Sequence, residues 1–163
     1  MIGRGARGKL PFLRMHDPTA LSRVRAEIEE LHIWLERWLS GECPNDDASY
    51  RALSSRFASD LVLIQPGGES MSVDELNRGL RAGHGASPEF RITIRNVTLR
   101  RRLGANLLVT YQEWQKGARN SKPANNGRVS TAILRDEGER LVWLHVHETW
   151  LPDEIMAAGP YDF

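Results

Sequence analysis

From Phe90 onward, apolar residues recur at every second position through four consecutive runs: Phe90–Arg101, Asn106–Lys116, Gly127–Arg135 and Arg140–Leu151. Alternation with this period puts successive side chains on opposite faces of a strand. No segment of helical period separates the runs, so a parallel sheet with a crossover helix between successive strands is excluded. Turn residues join them at Leu103-Gly104-Ala105 and Asp136-Glu137-Gly138, while Gly117–Asn126 reads as a longer polar loop. The second half of the chain is therefore a long antiparallel meander.

The first half carries the helices that such a meander needs on its apolar face. Asp17-Pro18 is a helix start, with a capping residue followed by proline at the first helical position. Leu21, Val24, Ile28, Leu31, Leu35 and Leu39 follow at three-and-four spacing, beside Trp34 and Trp38, and Gly41 ends the pattern. A short helix is predicted from Ala48 to Phe57, and Leu61–Ile64 is a buried strand closed by Pro66-Gly67-Gly68. Ser72-Val73-Asp74-Glu75 is a capping box, with Met71 and Leu76 as its hydrophobic staple, and predicts a third helix ending in the Gly79–Gly85 region.

Composition narrows the function classes. The 163 residues suit one domain with its own core, and a net charge of +1 indicates neither disorder nor a polyanionic partner. Residues 1–16 hold Arg4, Arg7, Lys9 and Arg14 and no acid, and read as a basic flexible leader without the apolar segment of a secretory signal. No apolar run is long enough for a membrane span. The single cysteine, Cys43, fits a cytoplasmic location. Arg100-Arg101-Arg102 lacks interleaved aromatic residues and reads as a solvated strand end, so no nucleic-acid partner is expected. Gly67-Gly68 lacks the lysine and spacing of a phosphate loop.

The order helix, helix, strand, helix and four long strands resembles the nuclear-transport-factor-2-like superfamily, shared by SnoaL-like cyclases and ketosteroid isomerases. Trp34 through Gly41-Glu42 resembles the family's first-helix segment, and Phe57–Ile64 its helix-to-strand joint. Leu144-His145-Val146-His147 resembles the last strand of the calcium/calmodulin-dependent kinase association domain. The resemblance covers roughly residues 20–151. It implies an α+β, cone-shaped cystatin-like fold, with three N-terminal helices packed on a strongly curved antiparallel sheet. The domain is then expected over 17–151, with a tail at 152–163. A fold of this kind carries many unrelated tasks, so it leaves the function open.

Within that frame the last strand offers two faces. Val142, Leu144, Val146 and Glu148 are predicted to face the helices and Trp143, His145 and His147 to face outward, because the first set is the more apolar. The expected ligand pocket comprises Trp34, Trp38, Gln112, Trp114, Leu144, Val146 and Glu148, and would hold a small, mostly apolar organic molecule. Two pocket arginines of the association domain fall on Glu148 and Gln112, so a carboxylate ligand is not carried over. The bland alternative is that both tryptophans merely fill the cone. Tyr111, Trp143, His145 and His147 are expected to form a homodimer face.

Glu148 is the candidate catalytic group, since burial would raise its pKa toward acid–base use. The bland alternative pairs it with Arg95 or Arg128 at the rim. His145 and His147 share a face, yet two ligands are too few for a metal site, and neither metal nor cofactor is expected. Two functions therefore stand side by side: a small-molecule binder, possibly a lyase, isomerase or hydrolase, and an association module acting through dimerisation.

Overall fold

Asp17 opens helix α1 (Pro18–Ser40): its carboxylate accepts the Ala20 N–H at 3.0 Å, and Pro18 follows where no intrahelical N–H is needed. Gly41, at φ 82°, ends the helix in the left-handed conformation and donates to the carbonyls of Arg37 and Trp38. These details come from a computed structural model that describes residues 17–163; the basic leader predicted at 1–16 lies outside the described residues. Helix α2 (Asp47–Ser54) ends earlier than the sequence pattern suggests, because Phe57 already belongs to strand β1 (Phe57–Ile64). A short strand β2 (Ser70–Ser72) then turns into α3 (Val73–Ala82), whose capping box is complete. Ser72 accepts the Glu75 N–H, and the Glu75 carboxylate accepts the Ser72 N–H.

Strands β3 (Arg91–Leu103), β4 (Asn106–Lys116), β5 (Asn126–Asp136) and β6 (Leu141–Trp150) form the antiparallel meander. The six strands lie in the order β2-β1-β6-β5-β4-β3. The β1–β6 pair runs parallel, so the sheet is mixed where the sequence suggested antiparallel pairing alone. The last segment adds a short helix α4 (Asp153–Ala158) within the expected tail. None of the described helices is long and apolar enough to cross a membrane.

Irregularities bend the sheet and decide which residues meet. Asn96, at φ 56°, marks a register shift between β3 and β4. On β6 the pairing steps from Leu134–Trp143 to Ile133–His145, which leaves Leu144 as an extra residue without a partner on β5. Val24, Ile28 and Leu31 of α1 join Leu107, Val109, Ala132, Leu134 and Trp143 of the sheet in one core.

Candidate functional site

The inner face of the sheet is apolar at one end and ionic at the other. Neighbouring positions across β4, β5 and β6 are Val109–Ala132–Val146 in one row, Tyr111–Ser130–Glu148 in the next, and Glu113–Arg128–Trp150 beyond it. Helix α1 lays His32 over these rows, one turn after Ile28. A cavity of about 440 Å³ opens here. Leu31, Leu35, Leu61, Leu76, Phe57 and Phe90 supply its apolar walls, and His32, Tyr111, Glu113, Arg128 and Glu148 supply its polar end. A volume in the range of about 300–1,000 Å³ with few polar groups is the ordinary form of a small-molecule site.

The polar end is a continuous, nearly dry network. His32 Nδ1 lies 2.6 Å from the Ile28 carbonyl, which only accepts, so Nδ1 carries a proton. Its Nε2 lies 3.2 Å from Glu113 Oε2, and Glu113 Oε1 accepts from Gln115 at 2.6 Å. Arg128 donates to Glu148 Oε2 at 3.0 Å, to Gln115 Oε1 at 2.9 Å and to Asn126 Oδ1 at 2.8 Å. Its guanidinium also stands 4.9 Å from the centre of the Trp150 ring. The side chains of His32 and Glu113 are 5% and 6% exposed and those of Arg128 and Glu148 both 9%, so solvent screens none of these charges strongly.

Two carboxyls in one site acquire opposite properties. Burial alone would raise Glu113, but attraction to Arg128 and His32 outweighs it and holds the group down to about 2. Burial and the neighbouring Glu113 charge push Glu148 up to about 7, against the opposing pull of Arg128. Desolvation disfavours the charged His32 imidazole, yet hydrogen bonding and attraction to Glu113 raise it overall. The His32–Glu113 pair is thus an imidazolium facing a carboxylate. Burial, followed by repulsion from both glutamates, keeps the Tyr111 phenol protonated.

The sequence-predicted residues divide between this site and other places. Val146 and Glu148 line the cavity. Glu148 is buried there, and it is also paired with Arg128. Trp143 does not face outward: it is 1% exposed, lines the cavity and donates to Glu27 at 2.9 Å. The Leu144 bulge is the reason, since it reverses the parity of β6 between Trp143 and His145. Leu144 itself is half-buried outside the cavity lining. Tyr111 likewise lies in the core and not on the predicted dimer face, whereas His145 is half-buried and His147 exposed.

On β4 the parity is the reverse of that expected. Gln112 and Trp114 lie on the outer face, where Gln112 accepts from Asn96 at 3.0 Å. Trp114 packs edge-on against Tyr161 of the C-terminal segment. Of the two helix tryptophans, Trp38 is fully buried and donates to the Leu80 carbonyl at 2.6 Å, and Trp34 is half-buried beneath Arg37. Neither lines the cavity. His32, Glu113 and Arg128 lie outside the pocket expected from the sequence, although Glu113 shares its parity with Leu107 and Val109, and His32 falls one turn after Ile28 on the apolar stripe. Among the described residues no cluster of three or more His, Cys, Asp or Glu side chains is arranged to hold a metal ion.

Residues 24–152 match the family model described as Sucrose-6-phosphate phosphohydrolase C-terminal. The chain is 25% identical over 135 residues to probable sucrose-phosphatase 2 of Arabidopsis thaliana, covering 80% of this chain and 31% of that protein. It is 24% identical over 132 residues to sucrose-phosphatase 1 of Nicotiana tabacum, covering 77% and 30%. The chain therefore spans about a third of the length of these relatives. Among solved structures, a nuclear-transport-factor-2-like protein of unknown function from Pseudomonas aeruginosa superimposes with a TM-score of 0.71 at 29% identity, covering 80% of this chain and 99% of that one. The hub homology domain of a calcium/calmodulin-dependent kinase from Chlamydomonas reinhardtii gives 0.61 at 14% identity, covering 82% and 99%. The fold is accordingly nuclear-transport-factor-2-like and α+β.

Proposed function

The chain belongs to the sucrose-6-phosphate phosphohydrolase C-terminal family, and from the geometry of its cavity we propose that this domain binds a small, mostly apolar organic molecule inside the cone. The observation that carries the proposal is the buried His32–Glu113–Arg128–Glu148 network at the end of an apolar cavity of about 440 Å³. Buried charges are costly, and four of them beside an open space make little sense as a stability device alone. We assign to the domain binding rather than phosphoester hydrolysis, because Arg128 and His32 are each already held by a carboxylate. Glu148, poised near neutrality and reached from the cavity, is the group best suited to exchange a proton with the bound molecule.

Native mass spectrometry tests this reading. Wild type and Leu35→Trp, which fills the cavity with an indole, are each incubated with a small-molecule extract and desalted. A bound mass on wild type that is missing from the variant is expected. Identical spectra for the two proteins would refute the proposal.

A second reading, self-association, draws on the opposite face. Leu108, Ile133, His145 and Val62 are neighbours across four strands, and Val62 is 37% exposed. We propose this row as the core of a homodimer face. The two readings are compatible, since they use opposite sides of one sheet.

A further inference from the structure

The sheet keeps its carboxylates on one side. Strands β3 to β6 hold three of them, Glu113, Asp136 and Glu148. Glu113 and Glu148 line the cavity, and Asp136, in phase with the buried Leu134, is held by Arg23 and Arg102. The outward positions of the same strands carry basic, hydroxyl and apolar side chains instead. Register places them in rows: Arg101–Leu108–Ile133–His145, then Thr98–Thr110–Thr131–His147, then Arg95–Gln112–Val129–Thr149.

The arginines of these strands divide in the same way. Arg91, Arg102, Arg128 and Arg135 each meet a carboxylate. Arg95, Arg100 and Arg101 are exposed and form no ion pair among the described residues. Neutral groups hold two of them against the sheet: Arg100 Nε donates to the Thr110 hydroxyl at 2.8 Å, and Arg101 Nη1 to the Arg100 carbonyl at 2.8 Å. Each guanidinium has N–H donors left over, and part of the ordering that an ion pair demands is already in place. β3 is the last strand of the sheet, so one flank of this arginine line is open. Register shifts between Arg95 and Thr98 and between Leu99 and Arg101 interrupt its ladder, which leaves side chains rather than added backbone pairing to hold a partner.

We propose that Arg95, Arg100 and Arg101 on the outer face of β3 dock an extended acidic segment of a partner protein. The three charges are spread over roughly 20 Å of strand. That matches a polypeptide with a carboxylate at every second residue, which recur about every 7 Å. It falls far short of a nucleic-acid duplex, with a charge about every 1.7 Å. A single strand finds no platform either: Trp114, the one tryptophan on the outward positions, is 4% exposed beneath Tyr161, and no phenylalanine or tyrosine stands on these rows. A second copy of the chain offers no carboxylate from the outward positions of β3 to β6, so self-association through the Leu108–Ile133 row leaves the arginines uncompensated at its end. The surface lies across the sheet from the cavity and does not depend on what the cone binds.

Fluorescence anisotropy of the full chain with three labelled probes provides the test: a peptide of alternating glutamate and valine, the same peptide with glutamine for glutamate, and a single-stranded oligothymidylate. Wild type should bind the glutamate peptide about tenfold more tightly than the glutamine peptide, and less tightly as salt is raised. The triple variant Arg95→Gln/Arg100→Gln/Arg101→Gln should lose about tenfold for the glutamate peptide, as three exposed ion pairs together provide. The variant Arg25→Gln/Arg51→Gln/Arg78→Gln removes the same charge from exposed helix positions and should bind as wild type does. Equal losses in the two triple variants, equal affinity for the two peptides, or no binding of the glutamate peptide would each overturn the proposal. Tighter binding of the oligothymidylate would overturn it in favour of nucleic acid. A change of mass in light scattering with unchanged peptide affinity in the Arg95/Arg100/Arg101 variant would overturn it in favour of a second copy.

Discussion

Glu148→Gln removes a titrating proton from the centre of the network while keeping an oxygen that can accept from Arg128 Nη1, now at 3.0 Å. In the folded protein the carboxyl sits at about 7, above its ordinary 4.5, because burial and Glu113 disfavour its charge. Between these values the folded state holds more protons than the unfolded chain, so this group's contribution to stability falls as pH rises from about 4.5 to about 7. At about 1.36 kcal/mol per pH unit, the loss approaches 3 kcal/mol above neutrality. Glu113 acts in the opposite sense: held down to about 2, it contributes stability above 4.5 that is lost as pH falls toward 2. Comparing wild type with the variant isolates Glu148 from this background. Urea denaturation should find the two proteins within about 1 kcal/mol of each other at pH 4. At pH 8 the variant should be the more stable by about 3 kcal/mol, or about 6–12 °C in Tm for a domain of this size. A variant less stable than wild type at pH 8 would show that the ionised Glu148–Arg128 pair is a net gain, and would refute the reasoning.

Trp143→Ala should cost about 3–5 kcal/mol in urea titrations, since it empties a position that is 1% exposed and strips Glu27 of a bond. Trp34→Ala should leave the affinity of the cavity for its ligand unchanged, because the ring lies under Arg37 and outside the cavity; a tenfold loss in titration would contradict that placement. Ile133→Arg should turn a dimer into a species of 18.5 kDa by light scattering, and a wild type already of that mass would remove the homodimer. Gly127→Ala should destabilise by about 1–3 kcal/mol in thermal melts, because an added Cβ would stand 2.7 Å from the Trp114 ring.

The fold was legible in the sequence because its signals are local and repeated. The Asp17-Pro18 start, the Ser72–Glu75 capping box and the four alternating runs each follow from neighbours a few positions apart, and each forms as read. The site was only half legible, because it depends on parity along strands that show two mixed faces. On β4, Gln112 is the position on which the resemblance places a pocket arginine, and Trp114 shares its parity. Yet the parity of Leu107 and Val109, both fully buried, had already committed Tyr111, Glu113 and Gln115 to the interior. Trp114 is buried for a different reason: Tyr161 of the C-terminal segment lies against its outer side. A large aromatic residue says that a face is covered, but not by what.

The bulge on β6 explains why neither simple assignment of that strand could succeed. Were Leu144 paired in register like its neighbours, one parity would run from end to end, and either Trp143 or Glu148 would face outward. With the bulge, Trp143 donates to Glu27 and lines the cavity together with Val146, Glu148 and Trp150. The same step leaves His145 outside, level with Val62 and Ile133. One irregular residue thus allows β6 to serve the core, the ionic network and the outer face in succession. Deleting Leu144 removes only the extra residue and should leave Trp143, Val146 and Glu148 facing inward. Inserting an alanine after Leu144 should instead turn Val146 and Glu148 outward and abolish ligand binding. An insertion variant that retained both full stability and ligand binding would refute the parity argument.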